Sequence, residues 1–585
     1  MLITRTSHYL AALVLATCFG LLSAASATSP SNLARLRRGA QMRRFKSSHL
    51  PRSHLPHGSV SLAQVRTAKV SRSASQVAVS HPAVRKNMSE KERADSVRDA
   101  LRHLWHGYKE SWGSDEVRPF SGKPGGRWGD IGMCIIDTLD TMWLAGLKDE
   151  FAEGEQWVSD LHIEVAPKEG SQRSSFFEMT IRGLGGLLSA YNLSGKRVFL
   201  EKAKDLGDRL LQAFPQPGHK VKHIWPYAYI NIRETNDVEK SAKWLQMQTL
   251  ADAGSNTMEF EYLTHASGDP KYQTAADAGM KRILDLAGKE KKHLAPIFLR
   301  EAKFAFQTEQ LSVGAFADSY YEYLLKTYLL SGKRERVWLD EWKAAMHGMR
   351  EALIRTTPNG RTYIATEAMS LPKGKFSTSS TQMEHLSCFM GGLLALGAHL
   401  LPREDAESWW LPTGAAITET CYEMYHQSPS GIAPERVAFS TNGDMILGGL
   451  NPVQRGNRVR PETLEALFYL YRVTGNTTYR DWSWNIFQAI NRTMRTAHGF
   501  ASARDVIRTS PVLDDSQETF VGAETLKYAM LIHLNSSVLP LEDFVLNTEA
   551  HPFPVFKPDT GKSSSLLRRE SVDHAPADAT QKDML

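Results

Sequence analysis

From Glu90 to about Phe556 apolar residues recur at spacings of three and four, the signature of helices with one buried face. One unit repeats. A helix closes on a small residue and a glycine, a short polar turn follows, and an aromatic residue opens a second amphipathic helix. The instances are LSGKRVFLEKA, ASGDPKYQTAA, LSGKRERVWLDEW and VTGNTTYRDWS. Their glycines, Gly195, Gly268, Gly332 and Gly475, stand where a helix end favours the left-handed conformation. They are separated by 73, 64 and 143 residues, the last close to two periods. Degenerate turns expected near Gly146, Gly397 and Asn535 bring the hairpins to seven. The period is too long for a thin solenoid, whose repeat is about 34 residues. It predicts an all-α fold in which seven helical hairpins close into an (α/α)7 barrel. The alternative is an open helical array.

Composition narrows the function. The 585 residues are 42% hydrophobic and 23% charged, an ordinary globular balance. Four cysteines, with no C-x-x-C, H-E-x-x-H or phosphate-loop string, exclude a disulfide scaffold and a Walker-type motor. The net charge of +6 would point to nucleic acid if it were spread evenly. It is not. Residues 1–89 hold 13 Lys or Arg and no acid, which leaves the remainder 57 basic and 64 acidic residues, a net of −7. The body repels phosphates, and nucleic acid is set aside.

The unusual feature is acids embedded in apolar helix starts. SSFFEMTIRGLGG holds Glu178 and Arg182, GAFADSYYEYLLK holds Asp318 and Glu322, and RVRPETLEALFYLY holds Arg460, Glu462 and Glu465. Glu524 and Glu259 sit in two further such strings. Acids favour helix N-termini, and Glu178–Arg182 is an ordinary i,i+4 pair, so one string alone would be capping. Five at the same phase of a repeat predict carboxylates aimed into one cavity. Converging carboxylates without a Cys or Ser-His nucleophile point to glycoside hydrolysis, one acid protonating the leaving oxygen and a second activating water or attacking the sugar. Spacing does not assign the two roles.

These strings, with VRDALRHLWHGY, IIDTLDTMWLAG, HLSCFMGG, AETLKY and LNTEAHPFP, resemble the class I α-mannosidases of glycoside hydrolase family 47 over about Glu90–Phe556. The resemblance implies a barrel of seven hairpins and a calcium-dependent, inverting exo-hydrolase that removes α-1,2-linked mannose from high-mannose N-glycans. It makes Glu178 the general acid, Glu462 the general base and Asp318 a third essential carboxylate. It makes Thr548 the direct Ca²⁺ ligand, with Glu465, Glu524 and Glu549 holding the metal's waters, and Glu524 near the sugar as well. Phe520 would support the terminal sugar. Arg182, Glu259, His385, Glu435 and Arg460 match sugar-contacting positions, and Cys388 and Cys421 match a disulfide pair. Two departures stand out. LADAG puts Asp252 where the family carries Glu, and Phe316 stands where the endoplasmic-reticulum enzymes carry Arg. Phe316, a further substrate-binding position, implies a broader, Golgi-like product range.

The ends of the chain suit the secretory pathway. Residues 1–27 include the uncharged run Tyr9–Ala27 and are expected to be a signal peptide or a single-pass signal anchor, a transit peptide being the alternative. Residues 28–89 are expected to be a basic, Ser-rich disordered stalk, 90–557 the catalytic barrel, and 558–585 a disordered polar tail. N-x-[ST] sequons fall at Asn87, Asn192, Asn476, Asn491 and Asn535. The competing functional expectation is a degradation-associated relative that recognises misfolded glycoproteins. A non-catalytic helical scaffold would leave the embedded acids unexplained.

Overall fold

In the computed structural model, inner helices and outer helices alternate along the chain. The residues described are 88–557, apart from 127, 166–172, 216–224, 235–247, 291–292, 301–304, 372–374 and 378–379. The expected leader, most of the stalk, the tail and Asn87 lie outside them. Among the described residues no helix is long and apolar enough to cross a membrane.

Helix α1 (Glu90–Tyr108) begins with a capping box: Ser89 accepts from the Glu92 N–H, and the Glu92 carboxylate accepts from the Ser89 N–H. Six hairpins follow. They are α2 (Met133–Leu144) with α3 (Lys148–Asp160), α4 (Gly185–Ser194) with α5 (Arg197–Leu210), and α6 (Thr257–Ser267) with α7 (Lys271–Ala287). Then come α8 (Asp318–Leu330) with α9 (Arg336–Ala352), α10 (Phe389–Leu400) with α11 (Trp410–His426), and α12 (Glu462–Thr474) with α13 (Thr478–Thr493). The short α14 (Leu526–Leu531) is the seventh inner helix. Its partner is α1, so the seventh pair joins the two ends of the barrel sequence and closes the ring. The turn expected near Asn535 to open a last outer helix instead leads to a β-hairpin.

The inner helices are buried almost all round. Every residue of α8 after Asp318 is buried, as are ten of the twelve in α2. Outer helices α5, α9 and α13 keep one wet face, as their strong three-and-four periodicity requires. Gly195, Gly268, Gly332 and Gly475 all have φ near +70°, the left-handed state that ends a helix without a Cβ clash. Gly397 corrects an expectation. It lies inside α10, which runs on to Leu400, and a Cβ there would stand 2.5 Å from the Trp342 ring. It is a close-packing glycine, and the turn comes later, after Leu400.

Two features dress the ring. At the end where the inner helices begin, β1 (Gln382–Glu384), β2 (Arg436–Phe439) and β3 (Met445–Leu447) form an antiparallel sheet, with Val437 opposite both Met383 and Leu447. From the other end a hairpin of β4 (Phe544–Leu546) and β5 (Pro552–Pro554) packs against α8 and α4, and Asn547, Glu549, Ala550 and His551 at its tip are buried. A disulfide joins Cys388, just before α10, to Cys421 in α11, at a sequence separation of 33. Cys134 is a buried free thiol.

Candidate active site

The inner helices start at one end of the ring, and the acids singled out in the sequence stand there. Asp318 and Glu462 are the first residues of α8 and α12. Glu178 ends a helical turn, Phe176–Glu178, whose entry is capped by the Ser175 hydroxyl accepting from the Glu178 N–H at 3.3 Å. The chain then widens into π turns over Met179–Leu184 before α4. A second π segment, Val521–Thr525, follows Phe520, carries Glu524 and runs into α14. Such bulges in helices concentrate at functional sites.

Arg182 gathers one half of the site. Its Nε donates to Glu178 Oε2 at 2.7 Å; its Nη1 donates to Glu549 Oε1 at 2.5 Å and to Thr519 Oγ1 at 3.0 Å. Asp137 Oδ2 lies 3.7 Å from the same nitrogen. Glu462 gathers the other half. Its Oε2 pairs with His385 Nδ1 at 2.9 Å, and its Oε1 lies 3.8 Å from Arg460 Nη1. Arg460 Nε donates to Glu435 Oε2 at 2.8 Å, and the Arg458 N–H donates to Glu435 Oε1 at 3.1 Å. His385 Nε2 meets the Tyr425 hydroxyl at 2.8 Å, so both imidazole nitrogens are committed. Phe520 joins the halves: its ring lies 5.6 Å from the Arg182 guanidinium carbon and 5.7 Å from that of Arg460.

The hairpin tip reaches the same place. Asn547 Oδ1 accepts from the backbone N–H groups of Glu549 and His551, at 2.9 and 2.8 Å, and folds the tip into a tight turn. Asn547 Nδ2 and the Tyr323 hydroxyl both donate to Glu259 Oε1, at 2.7 and 2.6 Å. Glu259 Oε2 is buried and has no hydrogen-bond partner among the described residues. Half-buried Thr548 sits on this tip, between Asn547 and Glu549. Beneath it lies a charged cluster with no exposed side chain. His551 bridges Asp137 Oδ1 at 3.0 Å and Asp140 Oδ2 at 2.8 Å, and Lys527 Nζ meets Asp140 at 2.9 Å and the Ala550 carbonyl at 2.6 Å.

Electrostatics divides the acids. Burial alone would raise the Glu462 pKa, but the His385 hydrogen bond and the Arg460 charge outweigh it and leave it below the ordinary value. Burial pushes Asp318 up to about 7, with Glu322, Glu462 and Glu384 adding to the rise and the Ser319 N–H opposing it. Burial likewise drives Glu259 up to about 7 and Glu465 to about 8, and Glu524 and Glu549 well above the carboxylate range. For Glu524 the charges of Glu462 and Glu465 add to it. The nearest cation to Glu465, Lys326 Nζ at 3.6 Å, already pairs with Glu322. This end of the ring therefore carries more acid than its cations neutralise.

That surplus is the chemistry a divalent cation answers, and the orphaned Glu259 oxygen is a free acceptor beside the Thr548 turn. Among the described residues no three His, Cys, Asp or Glu side chains converge as direct ligands. The Thr548 hydroxyl and carbonyl and the Glu259 carboxylate are oxygen donors, the type a hard cation takes.

Glu178, Asp318, Glu462, Arg182, His385, Glu435, Arg460, Phe520, Glu465, Glu524, Thr548 and Glu549 are thus brought together. Glu259 and His385, expected as sugar contacts, have no exposed surface and stand behind the wall. Phe316, two residues before Asp318, is half-buried, at φ +76°, its ring 6.1 Å from that of Phe298. That backbone state is costly for a bulky residue and is held by the Phe316 carbonyl accepting from the Ala251 N–H at 2.9 Å. Sequence reasoning missed Asp137, Asp140, Lys527, His551, Asn547 and Tyr425. Acids at 137 and 140 and a lone Lys527 in apolar helices carried the same signal as the acids that were singled out.

The profile of Glycosyl hydrolase family 47 matches residues 100–555. An endoplasmic reticulum mannosyl-oligosaccharide 1,2-alpha-mannosidase of Rattus norvegicus is 39% identical over 476 residues, covering 80% of this chain and 69% of the relative. A mannosyl-oligosaccharide 1,2-alpha-mannosidase of Arabidopsis thaliana is 36% identical over 491 residues and covers 83% of each chain. The solved alpha-1,2-mannosidase from Trichoderma reesei superposes with a TM-score of 0.71 at 27% identity, over 80% of this chain and all of the other.

Proposed function

The chain belongs to glycosyl hydrolase family 47, and from that premise we propose that it is a mannosyl-oligosaccharide 1,2-alpha-mannosidase, an exo-acting enzyme that trims high-mannose N-glycans by inversion. The observation that carries the reading is the meeting of Glu178, Asp318 and Glu462 at one end of the ring, around a phenylalanine flanked by two arginines. The terminal mannose rests on Phe520, an apolar face for the sugar ring. Glu462, held ionised and oriented by His385, takes a proton from water as the water attacks the anomeric carbon. Glu178 delivers a proton to the departing glycosidic oxygen. Arg182 holds the Glu178 carboxyl through Nε while its Nη1 serves Glu549 and lies 3.7 Å from Asp137, and burial and the Glu178 charge bring nearby Asp252 up to about 6. Asp318, protonated up to about neutral pH, is a hydrogen-bond donor towards the substrate.

The donor set fits calcium. Thr548 would hold it, with Glu465, Glu524, Glu549 and the free oxygen of Glu259 ordering its waters. When bound it supplies charge neutralisation and a grip on the vicinal hydroxyls of the sugar. Phe316 offers no donor to fix one glycan branch, so the cleft accepts several α-1,2 linkages. The relatives' names support a secretory location, and the run Tyr9–Ala27 serves as signal peptide or anchor. Proton NMR of the first-formed sugar tests the reaction: inversion yields β-mannose, and α-mannose as first product refutes it. Glu178→Gln and Glu462→Gln each lower kcat by roughly 10²–10⁴; near-normal turnover by either removes that residue from its role.

A further inference from the structure

Four sequons fall within the described residues, and the structure separates them into two kinds. Asn476 and Asn535 are exposed. In each, the side-chain oxygen accepts a hydrogen bond from the N–H two residues on, inside the sequon itself: Thr478 N–H to Asn476 Oδ1 at 3.1 Å, and Ser537 N–H to Asn535 Oδ1 at 2.9 Å. This Asx turn fastens the amide oxygen to the backbone and leaves the amide nitrogen facing solvent. Asn192 and Asn491 differ. Asn192 lies in α4, and its Nδ2 is buried. Asn491 lies near the end of α13, and its Oδ1 accepts at 3.0 Å from Nη1 of Arg495, just past the helix.

Asn476 follows Gly475, the left-handed cap of α12, and α12 begins with Glu462. Thirteen residues at 1.5 Å each put the cap roughly 20 Å from the catalytic end of that helix. The Asn535 turn is tied to the same spot. Arg472, in the last turn of α12, donates through Nη1 to the Ser536 carbonyl at 2.9 Å and through Nη2 to the Leu531 carbonyl at 3.2 Å. Both exposed sequons therefore neighbour each other at the end of the barrel away from the active site.

We propose that Asn476 and Asn535 are N-glycosylation sites of this protein, and that Asn192 is not. The donor is an oligosaccharide joined through a pyrophosphate to a lipid. The Asn nitrogen forms a bond to the anomeric carbon, the bond from that carbon to pyrophosphate oxygen breaks, the amide gives up one proton, and lipid pyrophosphate leaves. Glycans there project from the far end of the ring and leave the cleft open to glycans of other molecules. At Asn192 the same bond would put a sugar on a nitrogen with no solvent beside it.

The inference rests on the secretory location proposed above, and one preparation distinguishes the two. The full chain is expressed in a eukaryotic secretory host, and the active enzyme is treated with peptide N-glycosidase in ¹⁸O-water and mapped by mass spectrometry. Other peptides of the same digest, made without reductant, report whether Cys388 and Cys421 are oxidised. Conversion of Asn476 and Asn535 to ¹⁸O-aspartate, with Asn192 unconverted, supports the proposal. Unmodified Asn476 and Asn535 in a chain with an oxidised disulfide overturns it while leaving the location standing. The same result with both cysteines reduced overturns both. Glycan on Asn192 in active enzyme also overturns it. Asn476→Gln and Asn535→Gln should each remove one glycan's mass, with kcat/KM unchanged.

Discussion

Lys527→Met tests the buried charge cluster beneath the Thr548 turn. Lys527 has no exposed side chain and meets Asp140 Oδ1 at 2.9 Å and the Ala550 carbonyl at 2.6 Å. Burial alone would raise the Asp140 pKa; the charges of Lys527 and His551 overcome that and hold it down to about 2. Methionine keeps much of the volume and removes the charge. Breaking one side of a buried ion pair costs about 3–5 kcal/mol, and the orphaned Ala550 carbonyl falls within that range. For residues 88–557 the unfolding entropy is about 1 kcal/mol/K, at about 2.1 cal/mol/K per residue. The expected loss is therefore about 4 °C in Tm. Because Ala550 belongs to the turn that carries Thr548, calcium affinity should fall as well. Scanning fluorimetry across a calcium series reads both effects, since a ligand stabilises by RT ln(1 + [L]/Kd). A variant that melts within 1 °C of the parent and gains the same calcium shift would refute the idea that this cluster holds the turn. Adding Asp140→Asn should cost less than the sum of the single losses, because the unpaired charge is then gone.

Asp318→Asn should make the fold more stable at high pH. A carboxyl lifted from 3.8 to about 7 keeps its proton in the folded state where the unfolded chain releases it. Its contribution to stability therefore falls as pH rises from about 4 to 7, then stays constant. The Tm advantage of the variant should grow across that window while activity is lost; a difference independent of pH would refute the assignment. Phe316→Arg should narrow the products from a nine-mannose glycan, followed by chromatography. An unchanged product set in a folded variant would mean that Phe316 serves only its contact with Phe298.

Most of the ring was legible because its signals are local. Gly195, Gly268, Gly332 and Gly475 mark helix ends through backbone sterics alone, and periodicity marks the faces. Closure was not local: α14 pairs with α1 across more than 400 residues, and no turn announces it, so a further turn was expected near Asn535. Gly397 misled because a glycine demanded by the Trp342 ring looks in sequence like one demanded by a helix cap. In the site, acids in apolar helices could be read one string at a time. Their partnerships could not. His385 with Glu462, and Arg182 shared among Glu178, Glu549 and Asp137, join segments remote in sequence. The metal reading came from resemblance alone, since one threonine in a turn carries no signature. What the structure adds is the acid surplus around Glu465, Glu524 and Glu549 and the partnerless oxygen of Glu259.

The most direct measurement is release of free mannose from a nine-mannose N-glycan by the purified full chain, with and without a calcium chelator. The account predicts several mannoses released per glycan, activity abolished by exhaustive chelation, and recovery on adding Ca²⁺. No mannose released under any condition by a folded, calcium-loaded protein would contradict the enzyme assignment and favour a glycan-recognising role. Full activity after exhaustive chelation would contradict the calcium site.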